Sequence, residues 1–251
     1  MVSKAKIKEI RALALKKFRD AQGLFVAEGN KTVSELLTVF DCEWLIAHPR
    51  WLATREDIPV KELIQAGDDD IRKLSLLKTP QDVLAVFREP LYALEEADPA
   101  SQLVLALDGI QDPGNLGTII RLACWFGIEH IVCSPDTADV FGPKTVQATM
   151  GALARVKVHY SNLDDYIEIN KSVPVYGAFL DGKNIYREKL SPNGIIVMGN
   201  EGSGIRPEIE ILIRERLYIP PYPTGRKTTE SLNVAMATAI VCAEFRRVVN
   251  G

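Results

Sequence analysis

Between Lys4 and Asp20 the apolar residues Ile7, Ile10, Leu13, Leu15 and Phe18 recur mostly at helical spacing, with basic residues between them. Gly23 predicts the end of that helix, and Leu24-Phe25-Val26-Ala27 reads as a strand. Asn30 suits the cap of a helix carrying Val33, Leu36, Leu37 and Val39. Strands are expected from Glu43 to Ala47 and from Val83 to Phe87, with a short helix from Asp70 to Leu77 between them. From Glu89 to Ser101 the periodicity fades among Pro90, Pro99, Glu95, Glu96 and Asp98. The break predicts two α/β domains, 1–95 and 102–251, with 96–101 as linker. Beyond it, strands are expected at Leu103 to Leu107, Ile131 to Cys133, Val156 to His159, Pro174 to Phe179, Ile195 to Met198 and Leu217 to Ile219. Helical patterns fall near Asn115 to Phe126, Pro143 to Leu153, Asp164 to Asn170, Pro207 to Ile213 and Ser231 to Val249. Nearly continuous apolar strands alternating with helices predict a parallel sheet covered on both faces. Ligands of such sheets lie beyond the carboxyl ends of the strands.

Composition narrows the classes. With 47% hydrophobic and 25% charged residues in 251, collagen, disorder and coiled coil are excluded as the main architecture. No apolar run approaches the roughly 20 residues of a membrane span, and no secretory signal is read at the N-terminus. Cys42, Cys124, Cys133 and Cys242 form no CxxC pair, which argues against a zinc site or a disulfide framework and for a reducing cytoplasm. His48, His130 and His159 show no ligand spacing, so no metal is expected. The net charge of −3 disfavours nonspecific nucleic-acid binding by the whole surface. The basic stripe Lys4, Lys6, Lys8, Arg11, Lys16, Lys17 and Arg19 could neutralise phosphates or be a solvated helix face.

Three loops, each after a strand and before a helix, hold the polar residues and glycines that a core does not explain. Asp108 to Gly117 leads to Arg121, whose side chain leans back across Gly117. An ordinary turn with a surface ion pair fits this loop as well as a substrate site does. Gly199-Asn200-Glu201-Gly202-Ser203-Gly204 is neither a dinucleotide fingerprint nor a P-loop. Its glycines allow a simple turn or the close approach of a ligand. The third loop, Pro220 to Glu230, precedes Ser231 and Asn233, which fit helix caps or a polar pocket mouth. The small residues on the helix that follows suit tight burial or a subunit contact.

Taken in order, these loops resemble the motifs of the SpoU/TrmH-type branch of the SPOUT RNA methyltransferases. Asp112-Pro113-Gly114-Asn115-Leu116-Gly117 with Arg121 resembles the first motif, and Ile196 to Gly204 the second. Ile219-Pro220 with Glu230-Ser231-Leu232-Asn233-Val234 resembles the third. The stretches Lys17-Phe18-Arg19, Gly23 to Gly29 and Leu76 to Val86 resemble an L30e-like substrate-binding domain. The resemblance implies an α/β trefoil-knot domain with a parallel sheet, preceded by that smaller α/β domain, in a homodimer. It also implies methyl transfer from S-adenosylmethionine to a ribose 2′-oxygen of RNA, ribosomal RNA before transfer RNA. Asn115, Arg121, Glu201, Ser231 and Asn233 match its functional polar positions. Gly199, Ile219 and Leu232 match cofactor-contacting positions, to which Leu180, Met198, Asn200 and Gly202 are added. Lys16, Lys17, Arg19 and Arg226 are the candidate RNA contacts. A guanidinium holds its proton too tightly for an easy general base, so Arg121 is expected to stabilise the forming alkoxide. Departures from the motifs are Ala235 and Leu122, where serine and threonine are common, and a lengthened loop over Tyr222 to Thr229. The competing reading is a catalytically silent RNA-binding module that keeps the fold.

Overall fold

The computed structural model describes residues 2–223 and 231–250. The chain forms two compact units, residues 1–91 with 139–154, and residues 92–138 with 155–251.

The first unit contains α1 (Lys4–Ala12), α2 (Lys16–Gln22), β1 (Leu24–Glu28), α3 (Asn30–Leu36), β2 (Cys42–Ala47), α4 (Pro49–Leu52), β3 (Val60–Gln65), α5 (Asp68–Leu74) and β4 (Val83–Arg88). Its sheet runs β1-β4-β2-β3, antiparallel except for the parallel β2–β3 pair. One face packs Ile10, Leu13, Val26, Trp44, Ile46, Ile71 and Leu74 into a core. On the other, Phe25 meets Phe40, Phe87 and Phe141, the last from the 139–154 segment. That segment is read from sequence with the later half of the chain, yet its helix joins the first unit against β1.

The single N-terminal helix expected from periodicity is two. Leu13, fully buried, ends α1, and the Arg19 guanidinium donates to the Leu13 carbonyl at 2.7 Å. Arg19 is itself only 3% exposed and pairs with Asp139 Oδ2 at 2.5 Å. It holds this unit together and is not available to RNA, which corrects its assignment as a nucleic-acid contact. Replacing Arg19 by Leu should cost about 3 kcal/mol in urea unfolding, because Asp139 is left without its cation. Gly23 does end α2, in the left-handed conformation at φ 61°. Asn30 is the first residue of α3 and Gly29 its cap, so the asparagine side chain is released for other bonds. β3 carries no sequence signal because most of its residues are exposed, which hides the strand's alternation.

The second unit contains β5 (Leu103–Asp108), α6 (Pro113–Trp125), β6 (His130–Cys133), β7 (Lys157–Tyr160), α8 (Leu163–Ile169), β8 (Val175–Asn184), β9 (Gly194–Gly199), α9 (Pro207–Glu210), β10 (Glu215–Tyr218) and α10 (Val234–Asn250), while α7 (Pro143–Thr149) lies in the first unit. Its six strands form a wholly parallel sheet in the order β10-β8-β9-β5-β6-β7, as the apolar strand pattern predicts. Val104, Ala106, Val132, Val175, Ile195 and Val197 pack with α8 and α9, and the alternate residues face α6 and α10. β8 runs five residues past its expected end and follows β10 through a register break. Among the described residues no helix is long and apolar enough to cross a membrane.

His130 and His159 stack in this unit, with Nδ1 and Nε2 3.0 Å apart. Burial, then the neighbouring imidazole, pushes His159 down to about 4. Both pKa values lie below the unfolded value of about 6.5. The unfolded chain therefore takes up protons first, and stability present above pH 6.5 is lost as the pH falls toward 4. Unfolding free energy should drop by about 2 kcal/mol between pH 7 and 5 from His159 alone. His159→Phe should flatten that slope in urea titrations across the range.

Candidate active site

β9 delivers the second loop at the carboxyl edge of the sheet. Asn200 folds it: its Oδ1 accepts the Gly202 and Ser203 amides at 2.8 and 3.1 Å, and its Nδ2 donates to the Gly109 carbonyl at 2.6 Å. Asn200 and Gly204 exchange both backbone bonds at 2.9 Å, laying the turn back over Gly199. A Cβ on Gly199 would sit 2.4 Å from the Gly204 carbonyl carbon, so only glycine fits. At the end of β5, the buried Asp108 accepts the Arg206 amide at 2.8 Å and its Nε at 2.7 Å, fixing where the loop re-enters the fold. A hydrogen bond from Ser134, with Arg206 nearby, holds Asp136 below the ordinary carboxylate range.

The three loops meet at Glu201. Its Oε1 accepts Asn115 Nδ2 at 2.9 Å, Asn233 Nδ2 at 2.5 Å and the Val234 amide at 3.2 Å. Asn233 Nδ2 also reaches Asn115 Oδ1 at 3.0 Å. Its Oδ1 caps α10 by accepting the amides of Ala235 and Met236. Asn115 suits a helix cap by residue type, yet it lies inside α6 and is not its cap. Asp112 takes that place and Pro113 opens the helix, so the Asn115 side chain is free to cross to Glu201.

Beside this junction lies a cavity of about 410 Å³, within the range of small-molecule sites. Met198, Gly199, Asn200, Gly202, Ile219, Leu232 and Leu180 all line it, as do Glu201 and Ser231. Sequence reasoning missed Phe179, Tyr218, Val234 and Ala237 on its wall. Tyr218 is signalled by its place at the end of β10, and Val234 and Ala237 by the first turn of α10, whereas Phe179 lies inside β8 and carries no such signal. Glu201 is the single charged side chain among the described lining residues. Apolar walls, loop amides and one carboxylate suit a neutral ring system attached to a cationic sulfonium. Asn115 and Asn233 are joined to the cavity through Glu201.

Arg121 is not brought to the cavity wall. It is exposed on α6 and, among the described residues, has no hydrogen-bond or ion-pair partner. Lys16 is exposed and pairs with Asp20 at 3.0 Å, and Lys17 lies over the Phe18 ring. Arg226 falls outside the described residues.

Residues 102–243 match the SpoU rRNA methylase family, and residues 4–85 match the MRM3-like substrate-binding domain. The 23S rRNA (guanosine(2553)-2′-O)-methyltransferase RlmP of Bacillus subtilis is 32% identical over 246 residues, covering 96% of each chain. A solved TrmH-family structure from Porphyromonas gingivalis has a TM-score of 0.90 at 41% identity, over 98% of this chain and 99% of that one. An AdoMet-bound rRNA methyltransferase from Sinorhizobium meliloti has a TM-score of 0.85 at 30% identity, over 98% and 97%.

Proposed function

Because the chain belongs to the SpoU rRNA methylase family, we propose that it methylates a ribose 2′-hydroxyl of 23S ribosomal RNA, using S-adenosylmethionine. The observation that carries this reading is the convergence of three distant loops on Glu201 at the mouth of a cavity suited to that cofactor.

When bound, the sulfonium supplies an electrophilic methyl group. The chain's part is to hold the cofactor and to prepare the sugar oxygen. Gly199, Asn200 and Gly202 form the floor, while Leu180, Ile219 and Leu232 provide apolar wall. Glu201 fixes Asn115 and Asn233 and so ties the first and third loops to the second. Ser231 shapes the rim. Arg121 meets the RNA and stabilises the oxyanion that forms as the hydroxyl loses its proton. A neighbouring phosphate or water takes the proton, since the guanidinium stays charged. Much of the rate then comes from alignment of the oxygen with the methyl carbon.

A homodimer belongs to the same proposal. Trp125 on α6 and Met236 on α10 are 84% and 60% exposed, and these two helices pack together. Large apolar side chains at the surface of adjoining helices suit a second copy of the chain.

The deciding experiment incubates the purified protein with labelled S-adenosylmethionine and either unmodified 23S rRNA transcript or transfer RNA, then maps 2′-O-methylation. One methylated ribose in the ribosomal transcript is expected. Methylation of transfer RNA alone would overturn the substrate, and RNA binding without transfer to either would restore the silent-module reading.

A further inference from the structure

The first unit holds a second cavity, about 320 Å³, whose chemistry the methyl-transfer reading does not use. Its organising group is Arg55. The guanidinium lies 3.8 Å over the Trp51 ring, and the Trp51 side chain is 5% exposed beneath it. Every hydrogen bond of Arg55 among the described residues goes to a neutral acceptor: Trp51 O, Thr54 Oγ1, Asn30 Oδ1 and Ser34 Oγ. Among the described residues no carboxylate bonds to it, and its plane is fixed by the ring under it and the bonds around it.

The polar edge of the cavity is equally defined. Asn30 Oδ1 accepts from Trp51 Nε1 at 2.9 Å and from Arg55 Nη2 at 2.6 Å, which identifies the oxygen and leaves Nδ2 without a protein partner among the described residues. Gln81 donates Nε2 to the Thr79 carbonyl and keeps Oε1 open. Gly29, at φ +95°, turns the chain so that Gln81 lies across it beside Asn30, 3.6 Å from where a Cβ would be. The cavity therefore presents a flat cation, one amide donor and one amide acceptor.

This is not a phosphate clamp. Arg50, the other cation of the cavity, is held by both oxygens of Asp82 at 2.6 and 2.9 Å and by Asp68 at 3.1 Å. Those carboxylates would repel a phosphate. A neutral planar group meets no such penalty, and the volume is at the small end of ligand sites. We propose that this cavity binds one unstacked nucleobase of single-stranded RNA, the base lying on the Arg55 guanidinium and its edge read by Asn30 and Gln81. Bases splayed from loops are bound on arginine planes in this way. The inference deepens the RNA-methyltransferase reading by giving the substrate a single-stranded segment held by the first unit.

The test uses the full chain and six-nucleotide single-stranded RNAs of each base, with a duplex of the same length as control. The chain has three tryptophans, so the Trp51 indole N–H is followed as one of three signals in a nitrogen–proton NMR spectrum. Single strands should shift it and duplex should not. Arg55→Ala should raise the Kd for the preferred hexamer about tenfold. Arg55→Lys should bind nearly as weakly, because it keeps the charge and loses the plane. The salt dependence of binding should be the same for both variants and the parent. An unshifted Trp51 signal at saturating hexamer, with parental Kd in both variants, would overturn the proposal. So would a salt slope reduced by about one in Arg55→Ala, which marks a phosphate contact. Calorimetric affinity for S-adenosylmethionine should be unaffected in both variants. A protein that shifts Trp51 yet methylates nothing would leave this site standing and defeat the methyl-transfer reading. The reverse result would defeat only this site.

Discussion

Arg121→Ala should lower the single-turnover rate of methyl transfer roughly a hundred- to thousandfold at saturating RNA and cofactor, the cost of removing one donor from a developing oxyanion. The structure separates this loss from trivial causes. Arg121 is exposed on α6 and bonds to nothing among the described residues, so its removal should leave the unfolding midpoint within a degree or two. It does not line the cavity, so calorimetric affinity for S-adenosylmethionine should be unchanged. Arg121→Lys should recover only part of the rate, since a point charge replaces a planar fork. Near-parental turnover in Arg121→Ala would remove the arginine from the reaction and leave oxygen activation to the RNA itself.

Gly199→Ala should abolish measurable cofactor binding and lower stability by about 3 kcal/mol or more. The added methyl would lie 2.4 Å from Gly204 C and 2.5 Å from the Ile205 nitrogen, both backbone atoms with no rotamer to escape into. Relief requires opening the Asn200–Gly204 pair, and that pair forms the cavity floor. Gly202→Ala is the control in the same loop. There a Cβ would meet only Asn200 Oδ1, at 3.5 Å, an ordinary contact. Equal loss of cofactor affinity in the two variants, read by calorimetry, would show that the loop senses any added bulk and would defeat the argument from this single close approach.

The parallel sheet of the second unit is legible in the sequence because its strands are buried on both faces, so Leu103 to Leu107 and Ile195 to Met198 are continuous apolar runs. The cavity-lining loops were found for a different reason: glycines, Asn200 and Glu201 at strand ends have no packing role to explain them. What stayed hidden is what depends on partners far away in the chain. Arg19 reads as one more cation in a basic stripe, and only the fold brings Asp139 and the Leu13 carbonyl to it. Asn115 suits a cap on local grounds, but Asp112-Pro113 wins that position. Trp51 and Arg55 lie in a segment with no helical or strand period, so their stacking leaves no mark on the pattern.

The placement of Phe141 and Asp139 bears on how the chain matures during synthesis. Leaving the ribosome from its amino end, the polypeptide presents β1 and α2 long before residues 139–154 exist to cover Phe25 and neutralise Arg19. A nascent chain stalled just after β4 would therefore display a sticky aromatic face and a stranded cation. The first unit can close only after the first strands of the second have emerged, so the two halves mature interleaved instead of one after the other.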